Sequence, residues 1–124
     1  MIRALVLAVA LLAASGSPAI GSPADRQIAS WYCLPGPSPC SVGYPATGHY
    51  AAAGPALRVG VWRGRWVTVC SPDCSHLRGA VLVQLVDSCA CPGRLIDLYA
   101  SAFSWLAPLS RGLVRVEVKP ARQG

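Results

Sequence analysis

Hydrophobic and polar positions alternate most cleanly near the C-terminal end, where Val114, Val116 and Val118 fall on one side and Arg115 and Glu117 on the other. A period of two belongs to a strand with one buried face, so residues 113–118 are expected to form an outer-wall strand. Residues 81–86, Val-Leu-Val-Gln-Leu-Val, are apolar on both sides except for Gln84, the pattern of a strand covered on both faces. Shorter apolar runs at 57–61 and 66–70 are bounded by Gly and Ser, with Arg63-Gly64 as the hairpin turn between them. Residues 27–33 read as a first strand that runs into a Pro/Gly-rich loop at 34–45. Leu98, Ala102, Phe103 and Leu106 recur at helical spacing and are stopped by Pro108 and Gly112, which predicts one short helix over 98–109. The small apolar run at 50–57 fits either a buried turn or a short helical segment. The pattern as a whole is that of a predominantly β chain, a small barrel with one short helix against it.

The N-terminal run differs in kind. Met1-Ile2-Arg3 and the apolar residues 4–14 have no period and end in a Ser/Pro/Gly-rich stretch. They match a cleavable secretory leader over 1–24, too short to anchor in a bilayer. About one hundred residues then remain, enough for one domain with one modest core. The formal charge is +6, from 11 Lys and Arg against 5 Asp and Glu. That balance suits a carboxylate- or phosphate-bearing partner such as an anionic cell wall. Nucleic acid is disfavoured because the arginines are scattered with no basic run and the chain carries a leader.

Six cysteines, Cys33, Cys40, Cys70, Cys74, Cys89 and Cys91, in a small secreted domain point to three disulfides and not to a metal site. Cys89 and Cys91 are one residue apart, so a bond between them would close a strained small ring and each is expected to pair elsewhere. If Cys70 and Cys74 close a local loop, Cys33 and Cys40 remain to tie the first strand to Cys89 and Cys91.

Candidate chemistry concentrates at 86–98, where Asp87 and Asp97 bracket the two clustered cysteines and a Pro92-Gly93 turn. A tight turn there would bring both carboxylates to one groove. The structural alternative makes Asp87 an acceptor for loop N–H groups and Asp97 a helix N-cap. Trp31 and Tyr32 must point to opposite faces of the first strand, one into the core and one outward or into a groove. His49 and His76 stand alone in Gly/Ser-rich loops and read as solvated.

Taken in order, Ala29-Ser30-Trp31-Tyr32, Val86-Asp87-Ser88-Cys89, Gly93-Arg94-Leu95-Ile96-Asp97-Leu98, Ala102-Phe103 and Gly112-Leu113-Val114-Arg115-Val116 resemble rare lipoprotein A (RlpA)-like proteins, whose barrel is shared with expansins, barwin-like proteins and some lytic transglycosylases. The resemblance covers nearly all of residues 25–124. It implies an all-β fold with small α content: a six-stranded double-psi β-barrel with one short helix, stapled by disulfides. It places Tyr32, Asp87 and Asp97 on substrate-binding groove positions, and Asp97 where related hydrolases keep their general acid, with Asp87 as a candidate catalytic companion. The chain also departs from the family. Glycan-cleaving members carry a Glu, an Asp and a His in the segment that here reads Gly43-Tyr44-Pro45-Ala46-Thr47-Gly48-His49 and then Ala51-Ala52-Ala53-Gly54, with Gly54 at the position of the His. The function implied is a secreted, wall-associated protein that binds peptidoglycan or a related polysaccharide without the full catalytic set. The enzymatic alternative is a minimal lytic transglycosylase using Asp97, and a third is a barwin-like or inhibitor-like protein-interaction module. A monomer is expected, with wall glycan as partner, no cofactor or metal, no nucleic acid, and no membrane contact once the leader is removed.

Overall fold

The structure, a computed structural model, describes residues 27–75 and 79–121. The expected leader at 1–24 and His76 lie outside them. Seven strands form one sheet: β1 (Ile28–Tyr32), β2 (Tyr50–Ala53), β3 (Trp66–Cys70), β4 (Ala80–Ser88), β5 (Ile96–Tyr99), β6 (Val114–Arg115) and β7 (Glu117–Pro120), in the order β6-β1-β5-β2-β4-β3-β7. One short helix, α1 (Ala100–Phe103), follows β5. β1 lies parallel to β5 and β2 parallel to β4, while β2 and β5 are antiparallel.

The count is seven strands, not the six expected, because the predicted C-terminal strand divides at Val116. β6 pairs with β1, β7 pairs with β3, and between them the Val116 N–H turns to the carbonyl of Gln27 at 2.9 Å. β6 and β7 are therefore the two edges of the hydrogen-bonded sheet, which does not close as a ladder although the chain itself joins its edges through one residue. The alternation read there holds, with Val114, Val116 and Val118 buried in the core.

Other expectations are corrected as well. Residues 50–57 hold strand β2 and a 3-10 turn at Pro55–Leu57, and no strand forms at 57–61, so the Trp62–Arg65 turn is not a hairpin between two strands. The run of alanines reads as weakly β by propensity. It becomes a strand because β4 and β5 on either side supply its hydrogen bonds. The helix is also shorter than predicted, since Leu98 and Tyr99 belong to β5. β4 is not covered on both faces throughout: Val81, Val83 and Leu85 are buried but Leu82 is 47% exposed.

The disulfides join Cys33 to Cys40, Cys70 to Cys74 and Cys89 to Cys91. The local Cys70–Cys74 bridge is as read from the sequence; the long-range pairing of the other four is not found. The backbone turns sharply at Cys33 and Cys91, which have φ of 63° and 44°. With that turn, Cys89 and Cys91 stand 5.1 Å apart at Cα, within ordinary disulfide reach.

The core sits on one face of the sheet, where Ala29, Ala51, Ala53, Ile96, Leu98, Val83 and Leu85 meet Phe103 of α1. Trp31 packs against this cluster and donates its indole N–H to the Leu109 carbonyl at 2.8 Å. Tyr32 takes the opposite face, as strand geometry requires.

Candidate functional site

Register places the two aspartates. Ser30 of β1 stands opposite Asp97 of β5, Asp97 opposite Ala52 of β2, and Ala52 opposite Asp87 of β4. These four residues form one row across the outer face, on the side away from the core. The row spans three strand spacings, about 14 Å along the sheet, with the two carboxylates on strands separated only by β2.

Asp87 reaches that face through a bulge. The β2–β4 register shifts between Ala51 and Ala52, so Ala51 pairs with Leu85 but Ala52 with Asp87. Strict alternation after Val81, Val83 and Leu85 would send Asp87 into the core. The extra residue, Val86, resets the phase and turns the carboxylate outward. The sequence carried no distinct signal for the bulge, because residues 81–86 are apolar throughout except for Gln84 and show no period to break. Thus the acids meet through strand register and a bulge, and the proposed turn between 87 and 97 does not bring them together. Asp97 is no helix N-cap either, for it lies within β5 and α1 has Tyr99 at its N-cap.

The next row of the outer face is aromatic. Tyr32 and Tyr99 are paired across β1 and β5 with ring centres 5.2 Å apart, Tyr99 meets Tyr50 at 5.5 Å, and Tyr50 meets Tyr44 at 4.8 Å, all edge to face. Every tyrosine of the chain is in this series. The segment after the Cys33–Cys40 loop covers it: the Ser41 backbone N–H donates to the Tyr99 hydroxyl at 3.1 Å, and Ser41 Oγ donates to Asp87 Oδ2 at 2.9 Å. The Tyr32 hydroxyl stands 3.5 Å from both Ser41 Oγ and Asp87 Oδ2. Burial pushes the Tyr32 phenol above its ordinary range, and the nearby charges of Asp87 and Asp97 add to this against the Ser41 hydrogen bond. Tyr32 therefore stays protonated, a donor at neutral pH.

Asp97 has different partners. Ser30, only 6% exposed, donates its hydroxyl to Asp97 Oδ1 at 2.9 Å, and Arg94 donates to Ser30 Oγ at 2.6 Å. Burial raises the Asp97 pKa above its ordinary 3.8; the Ser30 hydrogen bond and the Arg94 charge lower it, and Asp87 raises it. The net shift is upward, the direction a proton donor needs, while the Arg94–Ser30–Asp97 chain works the other way by favouring the carboxylate.

The predicted residues Tyr32, Asp87 and Asp97 thus share one face. Ser30, Ser41, Arg94 and Tyr99 join them there, and the sequence reading did not single these out for the site. Ser30 and Arg94 lay inside quoted motifs, but only the β1–β5 register shows that they contact each other. His49 sits apart, half-buried, with its ring 6.1 Å from that of Trp105. Among the described residues no cluster of His, Cys, Asp and Glu could hold a metal, and none of their helices is long and apolar enough to cross a membrane.

Gly54 follows β2 where the family resemblance expects a histidine. Its N–H donates to the Leu95 carbonyl at 3.0 Å, and a Cβ at this position would lie 2.5 Å from the same oxygen. No side chain fits without moving the Leu95 backbone.

No protein-family model matches the chain, and no curated protein matches it. Solved structures do. An apo expansin of Clavibacter michiganensis aligns with a TM-score of 0.59 at 26% identity, over 78% of this chain and 50% of the expansin. A mutant of the C. michiganensis expansin in complex with cellohexaose aligns with a TM-score of 0.60 at 25% identity, over 81% of this chain and 51% of that one. The Streptomyces papain inhibitor aligns with a TM-score of 0.55 at 28% identity, over 77% of this chain and 91% of the inhibitor. The chain spans about half the length of the expansins it matches, and these likenesses place its architecture with the expansin-like and barwin-like barrels, to which the double-psi fold expected from the sequence belongs.

Proposed function

We propose that this chain is secreted, with its leader removed near residue 24, and that its domain over residues 25–124 binds a cell-wall polysaccharide, peptidoglycan foremost, and does not cut it. The observation that carries the reading is the outer-face row in which Asp97 and Asp87 flank Ala52, with the Tyr32 phenol held beside Asp87. Half-buried carboxylates and a phenol side by side are suited to the hydroxyls of a sugar chain, and an aromatic edge adds apolar contact. The likeness to an expansin that holds cellohexaose supports a glycan as ligand.

Cleavage asks for more. A glycosidic oxygen must be protonated and the departing carbon stabilised or attacked, which conventionally takes two carboxyl groups in distinct roles. Asp97 has the environment of an acid only in part, since Arg94 and Ser30 favour its charged form. The segment 43–49 brings no carboxylate, and Gly54 has no room for a side chain. The test is co-sedimentation of the mature protein with purified sacculi beside a muropeptide-release assay. Binding with no soluble product is expected; products that disappear in Asp97→Ala would replace this reading with the lytic one.

A second reading rests on the Streptomyces papain inhibitor, matched over 91% of its length where the expansins are matched over half. Leu34 and Val42, at either side of the Cys33–Cys40 loop, are 62% and 97% exposed, as residues offered to a protein partner would be. Stoichiometric inhibition of papain, with no sacculus binding, would establish it in place of glycan binding.

A further inference from the structure

The row of the outer face has an arginine at each end. Arg94 bonds Ser30 at the β1 end and lines a small recess with Pro55, Ala90 and Pro92. At the β4 end Arg63 donates to the Val86 carbonyl, one residue from Asp87, and lies 4.6 Å over the Trp62 ring. It lines an open depression of about 430 Å³ with Ser41, Tyr44 and Asp87. Of the five N–H donors that a guanidinium carries, Arg63 gives one to a carbonyl and Arg94 one to a hydroxyl. Among the described residues neither forms an ion pair; the salt bridge found there joins Lys119 to Glu117. Arg63 bonds a carbonyl and Arg94, although its charge reaches Asp97, bonds the Ser30 hydroxyl, so both guanidinium groups keep N–H donors for an anion brought by a ligand.

Resting on the groove reading above, we infer that the polysaccharide it takes is acidic, carrying carboxylates along its chain that Arg63 and Arg94 engage at opposite ends of the Ser30–Asp97–Ala52–Asp87 row. Between the two cations Asp87 accepts from Ser41 Oγ with the Tyr32 hydroxyl beside it, and Asp97 accepts from Ser30, so both aspartates are already engaged within the protein and the ligand's carboxylates fall to the arginines at the ends of the row. The excess of basic residues over the chain works in the same direction, steering an acidic polymer to the surface.

Calorimetry of the mature chain with a galacturonate hexamer and with cellohexaose tests the assignment. At low salt the acidic hexamer should bind at least about tenfold more tightly, and high salt should erase the preference. Arg63→Gln and Arg94→Gln should each reduce it about three- to tenfold, with Arg94→Lys retaining most of it. A thermal melt of each variant confirms that it folds. Sacculi whose carboxyls have been amidated should retain less protein than untreated sacculi. Equal affinity for the two hexamers, or a preference untouched by both Gln variants, overturns this inference alone. Binding to neither hexamer nor to sacculi overturns the groove reading with it.

Discussion

Asp97 is held between opposing influences, and its protonation links the site to stability. Its pKa is raised in the fold above the ordinary 3.8, so between those two values the folded protein binds more protons than the unfolded one. Stability therefore falls as pH rises through that window, and above it ionised Asp97 is a constant cost. Asp97→Asn removes the charge and keeps an oxygen for the Ser30 hydroxyl. Melting of the variant at neutral pH is expected at or above that of the wild type, with the advantage shrinking as pH falls through that window and gone below about pH 3.8, while glycan binding weakens clearly. A large drop in melting temperature, or unchanged binding, would return Asp97 to a structural role. Gly54 makes a second case at this scale. Because an added Cβ would meet backbone and not a flexible side chain, Gly54→Ala is expected to cost about 1–3 kcal/mol in urea unfolding.

At the scale of elements, the site is built by β2 and by the bulge opposite it. Ala52 is almost fully buried between Asp97 and Asp87, and its small side chain keeps the row open. Ala52→Val suits a strand by propensity but puts two methyl groups between the carboxylates. The expected result is a stability loss of no more than about 1–3 kcal/mol and a loss of binding of about tenfold or more, equivalent to about 1.4 kcal/mol. Sedimentation with sacculi and a chemical melt of the same preparation separate the two effects. The Ser41 segment closes the Tyr99 end of the face, so Ser41→Ala should release Asp87 Oδ2 and reduce binding while leaving the strands intact.

For the whole molecule, the three disulfides are local, with sequence separations of 7, 4 and 2. Bridges over such short loops remove less unfolded-state entropy than long ones, about 2 kcal/mol each in the chain-entropy model. Reduction should thus lower the melting temperature in steps attributable to individual loops. Thiol titration of the native protein should find no free cysteine, and peptide mapping should recover the three neighbouring pairs. A bridge between the first strand and Cys89 or Cys91 would contradict the fold described here.

Much of this was legible in local order along the chain. Alternation at 113–118 showed the buried valines, and the position of Trp31 beside Tyr32 assigned opposite faces to them, because period and residue type are local properties; the motifs drew attention to Tyr32, Asp87 and Asp97, which lie on one face. The division of the last strand at Val116, the pairing of Ala52 with both acid-bearing strands and the Arg94–Ser30–Asp97 chain were not legible. Each depends on register between segments far apart in sequence. A run of alanines acquires its conformation from the strands that border it, and a bulge at Val86 exists only when a partner strand is there to slip against. The cysteine pairing was misread for the same reason. Whether Cys89 meets Cys91 is decided by a backbone turn at Cys91, which the folded chain imposes and residue spacing alone does not encode.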